Sequence, residues 1–208
     1  MSKSSLVLRA AVGGIMLGHD LQKLKGAFDG PGLEGTEKMV EGLGLYPPKV
    51  QARLVALTET VGGGLTAAGL LSPLGPAMIM GTMGVAIYKV HLKNGFWNHK
   101  GGFEFNTLMA ASCFALASSG PGALSMDGIL RKQRSGPHWG IIAAGLALGA
   151  AAATVKMGES MAPSSTSPEV ASTRDLSLDG QTATDSADDT VDISVRGTLD
   201  EPVYQHQS

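Results

Sequence analysis

Five apolar stretches, none alternating polar with apolar residues, run through the first 155 residues of the chain. They are Leu6 to Phe28, Val50 to Leu71, Leu74 to Leu92, Phe103 to Ser119 and Trp139 to Val155. Each approaches the ~20 residues a helix needs to cross a bilayer, the last two at the short end. Runs of this length without a two-residue period, rich in Ala, Leu and Met, favour helix over strand. The pattern predicts an all-α fold: a transmembrane helix bundle of four helices plus a fifth. Ser72-Pro73 separates the second and third stretches. Small residues at four-residue spacing, Gly14 with Gly18, Gly64 with Ala68 and Gly145 with Gly149, are candidates for close helix contact.

The near-neutral total charge hides two unlike parts. Residues 1–158 carry 14 basic and 8 acidic side chains, whereas residues 159–208 carry 2 basic and 10 acidic. The acidic part is rich in Ser, Thr, Asp and Gly and is expected to stay disordered, because it has little apolar surface to offset the entropy of ordering. The expected organisation is a four-helix domain over residues 1–131, a basic loop and fifth helix over 132–157, and an acidic tail over 158–208. Lys3 and Arg9 precede the first apolar run, but His19, Asp20 and Lys23 follow it directly, which reads as a retained helix rather than a cleaved signal. Basic residues set the orientation: Lys3, Arg9, Arg131, Lys132 and Arg134 place the N-terminus and the fourth loop in the cytoplasm. If the fifth stretch crosses the membrane the tail lies outside, and if it does not the tail is cytoplasmic. Arg9 is expected to snorkel to the cytoplasmic headgroups. The lone Cys113 sits in an apolar run and reads as a packing residue.

Ionisable side chains at membrane depth are costly and are the first place to look for function. His19 lies nine residues before the outer end of its segment and Glu59 nine after the outer start of the next, so both sit roughly 13 Å below the outer boundary. Lys23 is one turn from His19. Asp20, Arg53, His91 and Glu104, with Lys89, fall toward the outer ends of their helices. The expectation is a polar vestibule open to the outer face, with Glu59 and His19 as a proton-transferring floor and Lys23, Arg53, Asp20, His91 and Glu104 as ligand-binding groups. The competing reading makes the charges interfacial residues or structural glue. Residues 34–43 form a candidate amphipathic helix, either a lid over the vestibule or a connector.

An ordered series of residues resembles the DoxX family. Leu8-Arg9, Gly13-Gly14, Gly18-His19, Lys23 and Phe28 look like its opening. Gly30-Pro31-Gly32, Gly42-Leu43-Gly44, Pro47-Pro48 and Leu57-Thr58-Glu59-Thr60-Val61-Gly62-Gly63 follow. Val90-His91-Leu92, Asn94-Gly95-Phe96-Trp97, Gly101-Gly102-Phe103-Glu104, Gly120-Pro121-Gly122 and Ser125-Met126-Asp127 complete the match over roughly residues 5–131. The resemblance implies a bacterial inner-membrane four-helix bundle. Relatives are associated with oxidoreductases that feed electrons to quinone and with oxidative-stress complexes. Asp20 departs from the family pattern, standing where glycine is usual, and residues beyond 131 lie outside the likeness.

Other chemistries lack their signatures. There is no GxxxxGK[ST], GxSxG or HExxH. His19, His91, His99 and His138 do not recur at metal- or haem-ligand spacing, so no metal site is expected. A basic footprint with stacking aromatics for nucleic acid is absent. The leading expectation is a membrane subunit of a redox system that binds quinone non-covalently, lies in the lipid bilayer and takes electrons from a soluble oxidoreductase, with oligomerisation compatible. The alternatives are a non-catalytic scaffold for soluble partners and a small solute or proton transporter.

Overall fold

The computed structural model describes residues 3–163. The described residues hold seven α-helices and no strand: α1 (Lys3–Lys25), α2 (Gly32–Gly42), α3 (Pro48–Ala68), α4 (Leu74–Ala86), α5 (Glu104–Ser119), α6 (Met126–Ile129) and α7 (Pro137–Ser160). The chain is an all-α bundle. Proline opens α3 and α7, where a missing N–H costs nothing and the fixed φ suits a first turn. Gly69, at φ 62°, ends α3 in the left-handed conformation that glycine adopts without strain. The helix α4 continues into a π-helical turn, Ile87–His91, and a 3₁₀ turn, Leu92–Asn94.

All five apolar stretches are helical, and the connector at residues 34–43 is α2. By length and apolarity together, one helix among the described residues, α7, is able to cross a membrane. The helices α1 and α3 are long enough, at about 35 and 32 Å by helical rise, but the charges they carry lower their apolarity. The acidic tail lies outside the described residues, apart from its first few: Gly158, Glu159 and Ser160 belong to the last turn of α7.

α1, α3, α4, α5 and α7 alternate in direction. The start of α1 meets the loop after α5, through the Ser5 hydroxyl donating to the Gly120 carbonyl. At the opposite end α2 packs over α1 and α3. There the buried Thr36 hydroxyl donates to the Gly32 carbonyl at 2.8 Å and to the Lys23 carbonyl at 3.2 Å, satisfying a last-turn acceptor of α1. On the outer face of α2, Lys38 pairs with Glu34 at 2.8 Å and holds that carboxyl below the usual range by hydrogen bond and charge.

Close helix approach uses other glycines than the four-residue spacing suggested. Gly14, Gly18, Gly64, Gly145 and Gly149 face open space. Contact instead falls on Gly13, where a Cβ would lie 2.6 Å from the Gly63 carbonyl oxygen, and on Gly62 and Gly75 between α3 and α4. Spacing alone does not say which side of a helix meets a neighbour. The adjacent pair makes a direct test. Gly13→Ala drives a methyl into the α3 backbone and is expected to destabilise by about 1–3 kcal/mol. Gly14→Ala meets nothing and gains roughly 0.5–1 kcal/mol of helix propensity. Thermal unfolding in detergent should shift in opposite directions for the two.

Around an apolar core, the surface carries many large apolar side chains, and several charged or polar ones are buried. Val7, Leu57, Leu108, Ile141, Leu146 and Leu148 are more than half exposed, while Arg9, Asp20, Gln51, Glu59, Asn106 and Asp127 are buried. An exterior of this kind suits lipid rather than water. Cys113 is buried in the core, as its apolar context implied.

Arg9 does not snorkel. It is 3% exposed and turns inward, donating to the carbonyls of Ala67 at 2.8 Å and Leu124 at 2.9 Å. The end of α3 leaves carbonyls without helical partners, and a guanidinium with several donors serves them. Asp127 complements it from α6, accepting from the N–H groups of Leu71 at 3.0 Å and Ser72 at 2.8 Å. Arg134 donates to the Ser72 carbonyl at 3.0 Å. Together the three side chains clasp the break between α3 and α4.

Candidate functional site

The crossing of α1 over α3 brings Lys23 against Glu59. The two form a direct ion pair in which Lys23 Nζ donates to Glu59 Oε1. Glu59 is the more enclosed, its side chain 2% exposed against 21% for Lys23. Its second oxygen, Oε2, is buried with no hydrogen-bond partner. A carboxylate can accept at several lone-pair sites, so Glu59 retains capacity for a further donor. Beside it the Thr60 hydroxyl donates to Asp20 Oδ2, linking the same two helices, and Asp20 Oδ1 is likewise buried and unpartnered.

Lys23 and Glu59 line a cavity of about 270 Å³. Its walls come from α2, α3, α4, the π turn and α7, and most of the lining is aliphatic. Met39 and Val40 of α2 and Leu43 just after it line the cavity, so the amphipathic connector forms one of its walls. Polar atoms are few: besides the ion pair there are Gln51, Thr58, Thr82 and Thr154. Gln51 Nε2 donates to the Tyr46 carbonyl at 3.2 Å, and its Oε1 is buried without a partner. An apolar chamber with a small convergent polar group is the usual form of a small-molecule site.

The other candidate residues lie elsewhere. His19 is absent from the cavity lining and packs toward α5, its ring centroid 6.0 Å from that of Phe105. Of the two residues expected to form a floor, Glu59 lines the cavity, with Lys23 beside it, and His19 does not. Arg53 is exposed and does not line the cavity. His91 Nδ1 shares a 2.7 Å hydrogen bond with the Gly101 carbonyl, and Glu104 accepts from the Asn98 N–H at 3.0 Å. These two fasten the loop between the π turn and α5 rather than the chamber. Lys89 pairs with Glu159 at 2.7 Å and ties α7 to the π turn. No cluster of His, Cys, Asp or Glu suited to a metal ion occurs among the described residues. Gln51, Thr58, Thr82 and Thr154 were not anticipated, although polar side chains inside apolar runs are a readable sign.

Fold and site together define a small α-helical bundle protein with one helix able to cross a membrane and an interior ion pair beside a mostly aliphatic chamber. The DoxX family model matches residues 4–92, which include α1 to α4 and both members of the ion pair. The protein named "Putative oxidoreductase CatD" of Bacillus subtilis is 31% identical over 130 residues, covering 62% of this chain and 89% of that protein. No solved structure matches the chain. The chain belongs to the DoxX family.

Proposed function

We propose that this protein is the membrane-embedded subunit of a redox system and that its chamber binds a quinone. The single observation that carries the reading is the largely buried Lys23–Glu59 pair, with Glu59 Oε2 unsatisfied, lining a mostly aliphatic cavity. The oxidoreductase name of the Bacillus subtilis relative supports the redox class. At about 270 Å³ the chamber is near the lower end of ligand pockets, roughly 300–1,000 Å³, and suits a single substituted ring.

A bound quinone would supply a two-electron, two-proton couple. The chain's residues would hold and protonate it. The Lys23 ammonium would donate a hydrogen bond to a ring oxygen. The Glu59 carboxyl would accept a hydrogen bond from the reduced, quinol oxygen, or, after taking a proton from water, would pass it to that oxygen. The aliphatic walls exclude water, so these polar contacts act at low dielectric. The sequence carries no flavin, haem or dithiol signature, so electrons would arrive from a soluble oxidoreductase partner. In this reading the bundle spans the inner membrane several times, with the basic end formed by Lys3 and Arg131 to Arg134 in the cytoplasm.

The test is binding of decylubiquinone to the purified full chain in mild detergent. Glu59→Gln keeps the shape and removes the charge, and is expected to weaken binding roughly tenfold or more, the loss of a charge-assisted hydrogen bond. Absence of binding by the wild type would overturn the reading and favour a scaffold for soluble partners.

A further inference from the structure

Resting on the quinone reading, we propose that α7 is the specificity wall of the chamber, and that the occupant's apolar tail leaves sideways, toward lipid, through a gap between α3 and α7. This helix lies beyond the residues matched by the family model, so the wall is an addition to the matched four-helix unit.

The packing shows how the gap arises. α3 and α7 both lie on α4. α3 approaches through Gly62, where a Cβ would stand 3.1 Å from Met78 Cβ. α7 approaches through Gly81 and Gly84, where added methyls would stand 3.4 Å from the Ala147 carbonyl oxygen and 3.5 Å from Ala151 Cβ. α3 and α7 make little contact with each other; near its C-terminal end α7 is tied instead to the loop before α3 and to the π turn after α4. There the Tyr46 N–H donates to the Gly158 carbonyl at 3.1 Å, a Cβ on Gly158 would press on Leu45 at 2.8 Å, and Lys89 pairs with Glu159 at 2.7 Å.

Deeper along the helices, the side chains of α7 that line the chamber are short: Ala150, Ala151 and Thr154. Ala150 is exposed, and Leu54 on the facing side of α3 is 39% exposed, so the chamber opens between them. That flank is aliphatic, as a surface toward hydrocarbon would be. Size and polarity then set the ligand's direction. The ring's oxygens belong at Lys23 and Glu59, the volume is that of a ring, and the tail has its exit past Ala150. The short side chains of α7 leave the exit open, and a bulky one would close it.

The experiment compares decylubiquinone with its tail-free parent, 2,3-dimethoxy-5-methylbenzoquinone, as ligands of the full chain in lipid nanodiscs. Ala150→Phe is expected to weaken the tailed quinone roughly tenfold while changing the tail-free one less than about threefold. Thr154→Phe gives a second plug from a less exposed position. Ala153→Phe, on an exposed position outside the lining, should change neither. Equal binding of the tailed quinone by wild type and both plugged variants would overturn the wall while leaving the quinone reading intact. Equal weakening of both quinones would overturn the sideways exit. Failure of the wild type to bind either probe would overturn the quinone reading and this inference with it.

Discussion

Lys23→Met is expected to destabilise the protein by roughly 3–5 kcal/mol, the cost of leaving a buried partner charge uncompensated. Glu59 has no other cation on it: its one hydrogen-bond partner is Lys23, and its other oxygen is already unpaired. Removing the ammonium leaves an enclosed carboxylate among Leu, Val and Met side chains. The double variant Lys23→Met/Glu59→Gln removes both charges. Buried ion pairs replaced as a unit are often neutral or even stabilising, because the desolvation of both ions disappears with their attraction. Most of the lost stability should therefore return in the double variant. Quinone binding should not return, because the chamber's charged hydrogen-bond donor and acceptor are both gone. The measurement is a double-mutant cycle read twice, once by unfolding in detergent and once by decylubiquinone binding. Recovery of binding together with stability would show that the pair is structural glue and that the ligand site is elsewhere. A double variant as unstable as Lys23→Met would show that the charges are not coupled in the way their contact implies.

Depth along a helix was legible in the sequence, and direction around it was not. The five helices follow from apolar run lengths, and the matching level of the α1 and α3 charges follows from a fixed rise per residue. His19 and Glu59 do lie near one level, since Asp20 meets Thr60 and Lys23 meets Glu59. But successive residues of a helix point about 100° apart, so Asp20 and Lys23 can face α3 while His19 turns toward Phe105 on α5. The same ambiguity made Gly14 and Gly64 look like contact residues when their neighbours Gly13 and Gly63 carry the contact. Arg9 illustrates a second limit. Snorkelling was the economical reading for a cation near a helix end, and only the tertiary fold brings the Ala67 and Leu124 carbonyls to it, 58 and 115 residues away. The role of α7 as a chamber wall rests on a similarly distant contact. Its composition announces a span, but nothing in it announces that Ala150 and Thr154 face the same space as Glu59.

Asp127→Ala is expected to cost about 3 kcal/mol or more in stability, since it strands two backbone donors at about 1–3 kcal/mol each. The site is unforgiving because the chain turns sharply between α3 and α4. Leu71 sits at φ 52°, a left-handed conformation that is uncommon for a leucine and persists only where the surroundings hold it. Its N–H and that of Ser72 have no helical acceptor and point at Asp127, which is 2% exposed. The Asp127 N–H in turn donates to the Gly69 carbonyl, and Arg9 and Arg134 occupy carbonyls on either side. Asp127→Asn keeps one acceptor oxygen and should lose roughly half as much. This clasp is at the opposite end of the bundle from Lys23 and Glu59, and it shares no residue with the chamber. Folded Asp127→Asn should therefore bind decylubiquinone with unchanged affinity while unfolding at lower denaturant. Glu59→Gln is expected to do the reverse, keeping more of its stability and losing the ligand. A stability loss in Asp127→Asn accompanied by an equal loss of binding would mean that the two ends of the bundle are coupled, and that the clasp tunes the chamber as well as holding the fold.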